Sequence, residues 1–335
     1  MKALVVGATG QLGTATVRRL LDDGAALRAL VRTSSSYDHL AVDGVELVFG
    51  DLRDRHSVSE ACDGVDCVIS TATVVFPRGR YSFDEDEGAG YANLLDASAE
   101  RGVDQFVFIS NLAPYISPYV DEIPTLRFKL EIEDALKRSG LAYTIFRSAP
   151  FMDDWFALIG SDIPLRGAEA ASLRRPFWFT RMSMGGSAGM IERFGVAAIP
   201  GPARARHAFV AIDDVARYLA RAAGERSARR RTFEIGGPEN LSWQEVVDLY
   251  GRLLGRPVRA LPSVPSSYRL GANLIRRLSP AAANQMGLMW MLGENETIVD
   301  SDEVARMFDV EQTSAEAFLS ARVGSEAGAR VGSAS

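Results

Sequence analysis

The sequence has few of the residues that build disulfide scaffolds and zinc sites. Its 335 residues include 2 cysteines, Cys62 and Cys67, and 3 widely spaced histidines. Two thiols are too few for a disulfide framework and fit a reducing compartment. Because no spacing of cysteine and histidine is typical of zinc, we expect no metal site.

Long apolar runs and an excess of positive charge are also absent. No stretch approaches the roughly 18 apolar residues that span a bilayer, and the opening run 1–6 is too short for a signal peptide. The 37 basic and 43 acidic residues give a net charge of −6, which disfavours nucleic acid as a partner. We therefore expect a cytoplasmic protein, monomer or homodimer, that binds neither nucleic acid nor a membrane.

Over the first 150 residues, short β-branched runs alternate with helical periodicity. Strands are predicted at 2–6, 26–31, 46–49, 67–70, 105–109 and 143–146, and helices at 11–22, 90–101 and 125–139. On the last helix the apolar face comprises Leu126, Leu130, Ile132 and Leu136, and the polar face Glu131, Glu133, Lys137 and Arg138. Six such alternations predict an α/β fold, a doubly wound parallel sheet of the Rossmann type, over 1–150.

After residue 150 the periodicity becomes weaker. Helices are predicted at 212–223 and 242–254, a strand at 232–235, and mainly helix over 262–320. Ser242, followed three residues later by Glu245, predicts a capping box. We assign 151–320 to a substrate-binding or lid region, and 321–335, which repeats Arg-Val-Gly-Ser, to a disordered tail.

The segment 151–206 is rich in aromatic residues, methionine and glycine. Its members are Phe151, Met152, Trp155, Phe156, Phe177, Trp178, Phe179, Met182, Met184, Gly185, Gly186, Gly189 and Met190. The cluster suits a mobile lid over a bulky apolar substrate. The alternative is a second small hydrophobic core.

A glycine-rich loop follows the first predicted strand and opens a helix. It reads Gly7-Ala8-Thr9-Gly10-Gln11-Leu12-Gly13. In this context the glycines permit a tight turn, close approach of a pyrophosphate, and packing of the helix on the sheet. We predict cofactor contacts from Gly7, Thr9, Gly10, Gln11, Leu12 and Gly13; the alternative is a purely structural turn.

The end of the second predicted strand indicates which cofactor is bound. An acidic residue there would bind the ribose hydroxyls of NAD(H). The sequence instead has Arg32, followed by Thr33, Ser34 and Ser35. These residues suit a 2′-phosphate, so NADP(H) is favoured; otherwise Arg32 is one more solvated arginine.

Taken together, these motifs resemble the atypical short-chain dehydrogenase/reductases, specifically the NmrA-like and isoflavone-reductase-like branch. The resemblance extends over about 1–260 and rests on the glycine loop, 49–54, 66–73, 93–97, 149–152, 207–216 and 233–238. It implies that Asp51 and Leu52 contact adenine, and that further cofactor contacts come from Thr71, Ala72, Thr73, Lys129 and Pro150.

The catalytic pattern of typical members is incomplete here. Their Tyr-x-x-x-Lys pair is represented by Lys129, but Thr125 stands in the tyrosine position. Lysine is scarce in this arginine-rich chain, so its retention at 129 is informative. Lys129 and Ser110, which matches the family's serine, are the predicted catalytic residues, since an ammonium can polarise a carbonyl and donate a proton.

Other readings of these residues stay open. Lys129 could bind only the nicotinamide ribose, or be a solvated helix residue. Ser110 could satisfy backbone groups, and Tyr91, Tyr115 or Tyr119 could supply a phenol. The sequence predicts an NADPH-dependent oxidoreductase, such as a ketoreductase, that reduces a carbonyl or conjugated double bond in a bulky apolar, polycyclic or quinone-like molecule. The alternative is a non-catalytic NADP(H)-binding sensor, regulator or assembly factor.

Overall fold

The computed structural model describes residues 1–73, 88–114, 116–168, 170–171, 173 and 189–331, with side chains up to 323. These residues form two compact units. The first, here called the sheet unit, comprises 1–148, 213–234 and 304–310. The second unit comprises 149–212, 235–303 and the chain from 311 onward.

The strands, in chain order, are β1 (Lys2–Val6), β2 (Ala26–Val31), β3 (Val45–Phe49), β4 (Cys67–Ser70), β5 (Gln105–Asn111), β6 (Tyr143–Ser148), β7 (Val196–Pro200), β8 (Arg206–Ala208), β9 (Arg231–Ile235), β10 (Asn240–Ser242) and β11 (Arg259–Ser263). Within the described residues, seven of them form one sheet in the order β3-β2-β1-β4-β5-β6-β9, and the ladders among its first six strands are parallel. In the second unit, β8 pairs with β10 and β7 with β11. The predicted doubly wound α/β fold is confirmed.

The helices of the first 148 residues are α1 (Gln11–Asp22), α2 (Arg55–Cys62), α3 (Gly90–Glu100), α4 (Tyr119–Glu122) and α5 (Pro124–Arg138). Later helices are Met152–Leu158, Met190–Phe194, Ile212–Ala222, Trp243–Leu254, Pro265–Ile275, Pro280–Glu294, Asp302–Met307 and Ala315–Val331. The last helix extends over residues 321–331 of the segment that the sequence analysis assigns to a disordered tail. Its small residues are compatible with a helix once its first turns are buried, as Phe318 and Leu319 are.

The sheet is buried on both faces, as its apolar strands require. On one face, Phe106 and Phe108 of β5 pack with residues of α2, α3 and α5. On the other, the Phe146 ring lies 5.8 Å from that of Tyr218 and 5.3 Å from that of Phe308. These rings bring 213–234 and 304–310 into the sheet unit. The boundary that the sequence analysis places at residue 150 leaves both segments out of the first domain, because the residues they pack against lie far away in the sequence.

The second unit has an aromatic core of its own. The ring of Phe209 lies 4.9 Å from that of Phe156 and 5.2 Å from that of Trp243. Met152 and Phe156 are buried at 2% and 0% exposure, so the alternative of a second core describes both. The predicted lid residues 177–179 and 182–186 lie outside the described residues. The capping box is confirmed: Ser242 Oγ accepts the Glu245 amide at 3.2 Å, and Glu245 Oε2 accepts the Ser242 amide at 2.7 Å.

Candidate functional site

The strand order reverses at β1, the point where a doubly wound sheet places its ligand. From β1 the chain first adds β2 and β3 on one side, and then β4 on the other. In the register of these strands Val6 lies opposite both Leu30 and Ser70. The loops after β1 and β4 therefore leave the same carboxyl edge side by side.

The first and third glycines of the loop after β1 leave no room for side chains. Gly7 has φ of +83°, and a Cβ there would lie 2.6 Å from the Ala72 nitrogen. A Cβ on Gly13 would lie 2.1 Å from the Gly7 oxygen, so this glycine lets α1 pack against the loop. These contacts fit the predicted turn and helix-packing roles of the first and third glycines.

Gly10 is the N-cap of α1 and differs from the other two. Its backbone is extended, with φ −77° and ψ 165°, and no side chain caps the helix. No acidic residue occupies the first turn of α1. The first-turn amides of a helix have no partner inside the helix and carry its positive dipole end, so this terminus suits a phosphate.

The end of β4 is fixed by hydrogen bonds from buried side chains. Thr71 Oγ1 donates to the Val6 carbonyl at 3.1 Å, and the Tyr91 hydroxyl donates to the Ala72 carbonyl at 2.7 Å. The same hydroxyl lies 2.8 Å from Ser70 Oγ. Tyr91, which the sequence left open as a proton donor, therefore holds the segment predicted to lie along the cofactor. The sequence did not predict this role.

The predicted adenosine side lies after β2 and β3. Arg53 makes a two-pronged contact with Asp51, at 2.8 and 2.7 Å. The hydrogen bonds from Arg53 lower the pKa of Asp51. Burial acts in the opposite direction, and the charge of Arg32 lowers the pKa of Asp51 further. The Leu52 carbonyl accepts a bond from the Asn93 amide at 2.9 Å. Arg32 is exposed near Asp51, so its guanidinium is accessible to an anion.

Lys129 lies on α5 with only 3% of its surface exposed. Its Nζ donates to the Ile109 carbonyl at 2.9 Å and lies 4.6 Å from the centre of the Phe108 ring. Ile109 is near the carboxyl end of β5. The reading of Lys129 as a solvated residue is therefore wrong. Thr125, one turn earlier, is buried as well.

Ser110 belongs to a buried ionic cluster that we call the Glu133 cluster, made of Ser110, Glu133, Lys137 and Arg147. Glu133 has 0% exposure, and its carboxylate accepts two bonds from Arg147, at 3.0 and 2.8 Å, and one from Lys137 at 3.2 Å. Burial by itself would raise the pKa of Glu133. Hydrogen bonds from Arg147, Ser110 and Lys137 outweigh burial, and the pKa is lowered. Glu133, which the sequence analysis assigns to the polar face of its helix, is buried, because Arg147 of β6 supplies a counter-ion to its carboxylate.

Asp154 was not singled out by the motifs. It lies on the helix Met152–Leu158 of the second unit. Burial, and then the charge of Asp153, raise the pKa of Asp154 to about 7. A carboxyl group with such a pKa is about half protonated at neutral pH, the condition that suits a general acid or base.

The remaining residues that the sequence singled out are a proline of the second unit, two tyrosines and the two cysteines. Pro150 belongs to the second unit, and its carbonyl accepts the Val210 amide at 3.1 Å. Tyr119 is buried at 7% exposure, and Tyr115 lies outside the described residues. Cys62 and Cys67 are free, buried thiols, and burial raises both pKa values.

The described residues contain neither a candidate metal site nor a candidate membrane-spanning helix. No group of three or more histidine, cysteine, aspartate or glutamate side chains there could hold a metal ion. Among the helices that the structure describes, none combines the length and apolar character needed to cross a bilayer.

The fold and the glycine loop define a dinucleotide-binding protein of the Rossmann class. The NmrA-like family matches residues 1–270, and the chain belongs to this family. Among curated proteins, it is 28% identical over 324 residues to the photosystem II assembly factor Ycf39 of Cyanophora paradoxa, covering 94% of this chain and 88% of that one.

Solved structures share the fold at lower sequence identity. The NADPH-dependent quinone oxidoreductase of Escherichia coli, in complex with NADPH, has a TM-score of 0.70 and 18% identity, covering 96% of this chain and 99% of that one. Isoflavone reductase has a TM-score of 0.66 and 20% identity, covering 95% and 98%. The predicted membership of the NmrA-like family is confirmed by the family match, and the likeness to isoflavone reductase is one of fold.

Proposed function

We propose that this protein binds NADP(H) at the carboxyl edge of its sheet and reduces a carbonyl or conjugated double bond of a bulky apolar molecule. The observation that carries the proposal is the loop after β1. A Cβ at Gly7 or Gly13 would strike backbone, and Gly10 opens α1 without a side-chain cap. This cradle fits a pyrophosphate, which backbone amides bind only at close range.

The adenosine end of the proposed site carries the cofactor preference. Asp51 is held by Arg53, and the Leu52 carbonyl by Asn93, so both adenine-contacting candidates have fixed positions. Arg32 is exposed beside them and supplies a fork of donors that matches a 2′-phosphate. NADP(H) is therefore preferred over NAD(H).

The chemistry proposed for this chain depends on Lys129. When bound, the nicotinamide supplies a hydride, and negative charge develops on the substrate oxygen. Lys129 places an ammonium group in a buried environment near the carboxyl end of β5, where positive charge is weakly screened. The Ile109 carbonyl accepts a hydrogen bond from that ammonium, and the Phe108 ring lies within cation–π distance of it. We assign Ser110 a positioning role through Glu133 rather than direct proton transfer.

Replacing Lys129 tests this assignment. In Lys129→Met we expect NADPH affinity to be largely kept and turnover with a naphthoquinone or polycyclic ketone to fall roughly 10²–10³-fold, as when one oxyanion donor is lost. Lys2→Met is the matched control, because Lys2 is the first residue of β1, at the opposite end of that strand from the glycine loop, and its partly exposed ammonium pairs with Glu46 at 2.8 Å. NADPH binding is measured by fluorescence titration and turnover by NADPH absorbance.

A second candidate function is supported by the residue at 125. Threonine replaces the tyrosine of typical reductases, and the relative Ycf39 is named an assembly factor rather than an enzyme. In this alternative the chain binds NADP(H) as a sensor or assembly factor without turnover. NADPH binding by the wild type without oxidation by any apolar quinone or ketone would favour it, and unchanged turnover in Lys129→Met would refute the catalytic assignment.

A further inference from the structure

Charge is unevenly distributed along this acidic chain. Residues 249–293 contain no aspartate, glutamate, lysine or histidine, and their charged side chains are Arg252, Arg256, Arg259, Arg269, Arg276 and Arg277. The rest of the chain carries all 43 acidic residues against 31 of the 37 basic ones. One segment of the second unit is therefore strongly cationic although the net charge of the chain is −6.

Much of that segment folds as a helical hairpin, Pro265–Ile275 followed by Pro280–Glu294. The two helices pack against each other, with Ala272 buried at 4% exposure. The Arg269 guanidinium lies 4.7 Å from the centre of the Trp290 ring. These contacts settle which face of the first helix points inward.

The opposite face of the hairpin exposes leucine. Leu270, Leu274 and Leu278 follow one another at intervals of four residues and are 63%, 72% and 86% exposed. Arg276 and Arg277 lie between the last two of them and are exposed as well. We call these five residues the leucine–arginine face. Adjacent exposed apolar side chains of this kind mark interaction surfaces.

The turn that carries Leu278 is ordered. The Leu278 amide donates to the Ile275 carbonyl at 2.9 Å, and the Ser279 amide donates to the same oxygen at 2.8 Å. Ser279 Oγ then accepts the Ala282 amide at 3.2 Å, which caps the second helix. Leu278 is thus held in a hydrogen-bonded turn, and Leu270 and Leu274 lie on the helix before it, so the backbone that carries them is already folded before it contacts a partner.

We propose that the leucine–arginine face binds the surface of an anionic lipid bilayer, with the hairpin lying in the interface. A basic, amphipathic helix binds in this way: apolar side chains enter the boundary between headgroups and acyl chains, and arginines contact lipid phosphates. The helix Pro265–Ile275 has 11 residues, about half of what spanning requires, so it lies on the bilayer. The expected absence of a membrane partner rested only on missing spanning runs, which an interfacial hairpin does not need.

Other partners fit this face less well. A symmetric dimer would bring Arg276 and Arg277 close to their own copies, and like charges repel. An acidic protein surface would satisfy the arginines, but three solvent-exposed leucines also need an apolar phase beside the negative charge. A bilayer interface supplies both, and the proposal is independent of any reductase activity.

Vesicle flotation of the full chain tests the proposal. We expect binding to vesicles of mixed phosphatidylcholine and phosphatidylglycerol, and at least roughly tenfold weaker binding to phosphatidylcholine alone or in high salt. The triple variant Leu270→Gln, Leu274→Gln, Leu278→Gln is expected to lose at least about tenfold in affinity for the anionic vesicles. Ile298→Gln, which changes another exposed apolar residue of the second unit, is the control and is expected to bind normally.

The arginines have their own variant. Arg276→Gln with Arg277→Gln is expected to weaken anionic-vesicle binding by roughly tenfold or more, whereas Arg204→Gln with Arg221→Gln is expected to bind as the wild type does. The single variant Leu278→Gln replaces one exposed side chain in the turn and leaves the helices unchanged. Its vesicle binding therefore tests the leucine–arginine face even if the triple variant unfolds. Three results would overturn the proposal. The first is wild-type binding that does not depend on lipid charge. The second is normal vesicle binding by both Leu278→Gln and the Arg276→Gln, Arg277→Gln variant, and the third is the absence of any vesicle binding.

Discussion

The Glu133 cluster allows a quantitative prediction about stability. Glu133 is fully buried, and its carboxylate accepts bonds from Arg147, Lys137 and Ser110. Glu133→Gln keeps the shape but removes the negative charge, so the Arg147 guanidinium loses its buried counter-ion. Breaking such a pair from one side costs about 3–5 kcal/mol of unfolding free energy. For a unit of this size that corresponds to a Tm roughly 6–20 °C lower.

Glu131→Gln is the matched control on the same helix. The Glu131 side chain is 57% exposed, and its nearest charge is Arg127 at 3.9 Å. A solvated pair of this kind contributes about 0–1 kcal/mol, so Tm is expected to stay nearly unchanged. Calorimetry or thermal denaturation followed by circular dichroism measures both variants. Equal Tm values for Glu131→Gln and Glu133→Gln would refute the reasoning.

The effect of Glu133→Gln on Tm has a predictable pH dependence. The folded-state pKa of Glu133 is lowered from its ordinary value of 4.5, so the stabilisation by its charge is fully present above that pH. It is lost as the pH falls through the lowered pKa. The Tm difference between the wild type and Glu133→Gln should therefore be constant near neutrality and shrink in acid. A difference that grows in acid would contradict the assigned cause.

Two further predictions concern the cofactor and acid stability. Arg32→Ala should weaken NADPH binding while leaving NADH binding unchanged, measured by calorimetric titration of both; equal binding of the two cofactors by the intact protein would contradict the assigned role. His207 is buried, and burial lowers its pKa to about 4, so folding favours its neutral form. Below pH 6.5 the unfolded chain binds a proton that the folded chain excludes, and about 3 kcal/mol of stability is lost by pH 4. His207→Gln should lack this acid slope in chemical denaturation, and an identical slope would rule out His207 as its source.

The parts of the fold that depend on neighbouring residues could be predicted from the sequence. The helix Gln11–Asp22 and the first two strands have the predicted bounds, because hydrophobic periodicity and the glycine loop define them locally. The placement of Gly7 and Gly13 followed for the same reason, since tight turns and close packing leave a direct mark on residue type.

The parts that depend on distant partners could not. Glu133 lies on the polar face of its helix, and its burial is favourable because Arg147 of β6, together with Ser110 and Lys137, donates to its carboxylate. β9 was recognised as a strand, but its place in the sheet depends on contacts across the fold. Tyr91 looked like a possible acid, whereas its bonds to Ser70 and Ala72 give it a structural task that no local pattern indicates.

Gly10 gives the most direct test of the proposed cofactor site. Its extended backbone suits alanine, and an added Cβ would meet the Gly7 oxygen at 3.2 Å, which a small shift relieves. Gly10→Ala should therefore fold with nearly normal Tm, yet place a methyl group where the pyrophosphate must approach the amides. Gly88→Ala is the control, because a Cβ at Gly88 meets no atom of the described residues within 4 Å.

The decisive measurement is the dissociation constant for NADPH, by fluorescence or calorimetric titration, of the wild type, Gly10→Ala and Gly88→Ala. We expect the wild type and Gly88→Ala to bind alike, and Gly10→Ala to bind at least about tenfold more weakly, a loss of roughly 1.4 kcal/mol or more. A folded Gly10→Ala variant with the wild-type dissociation constant, or a wild type that binds no NADPH, would contradict the account.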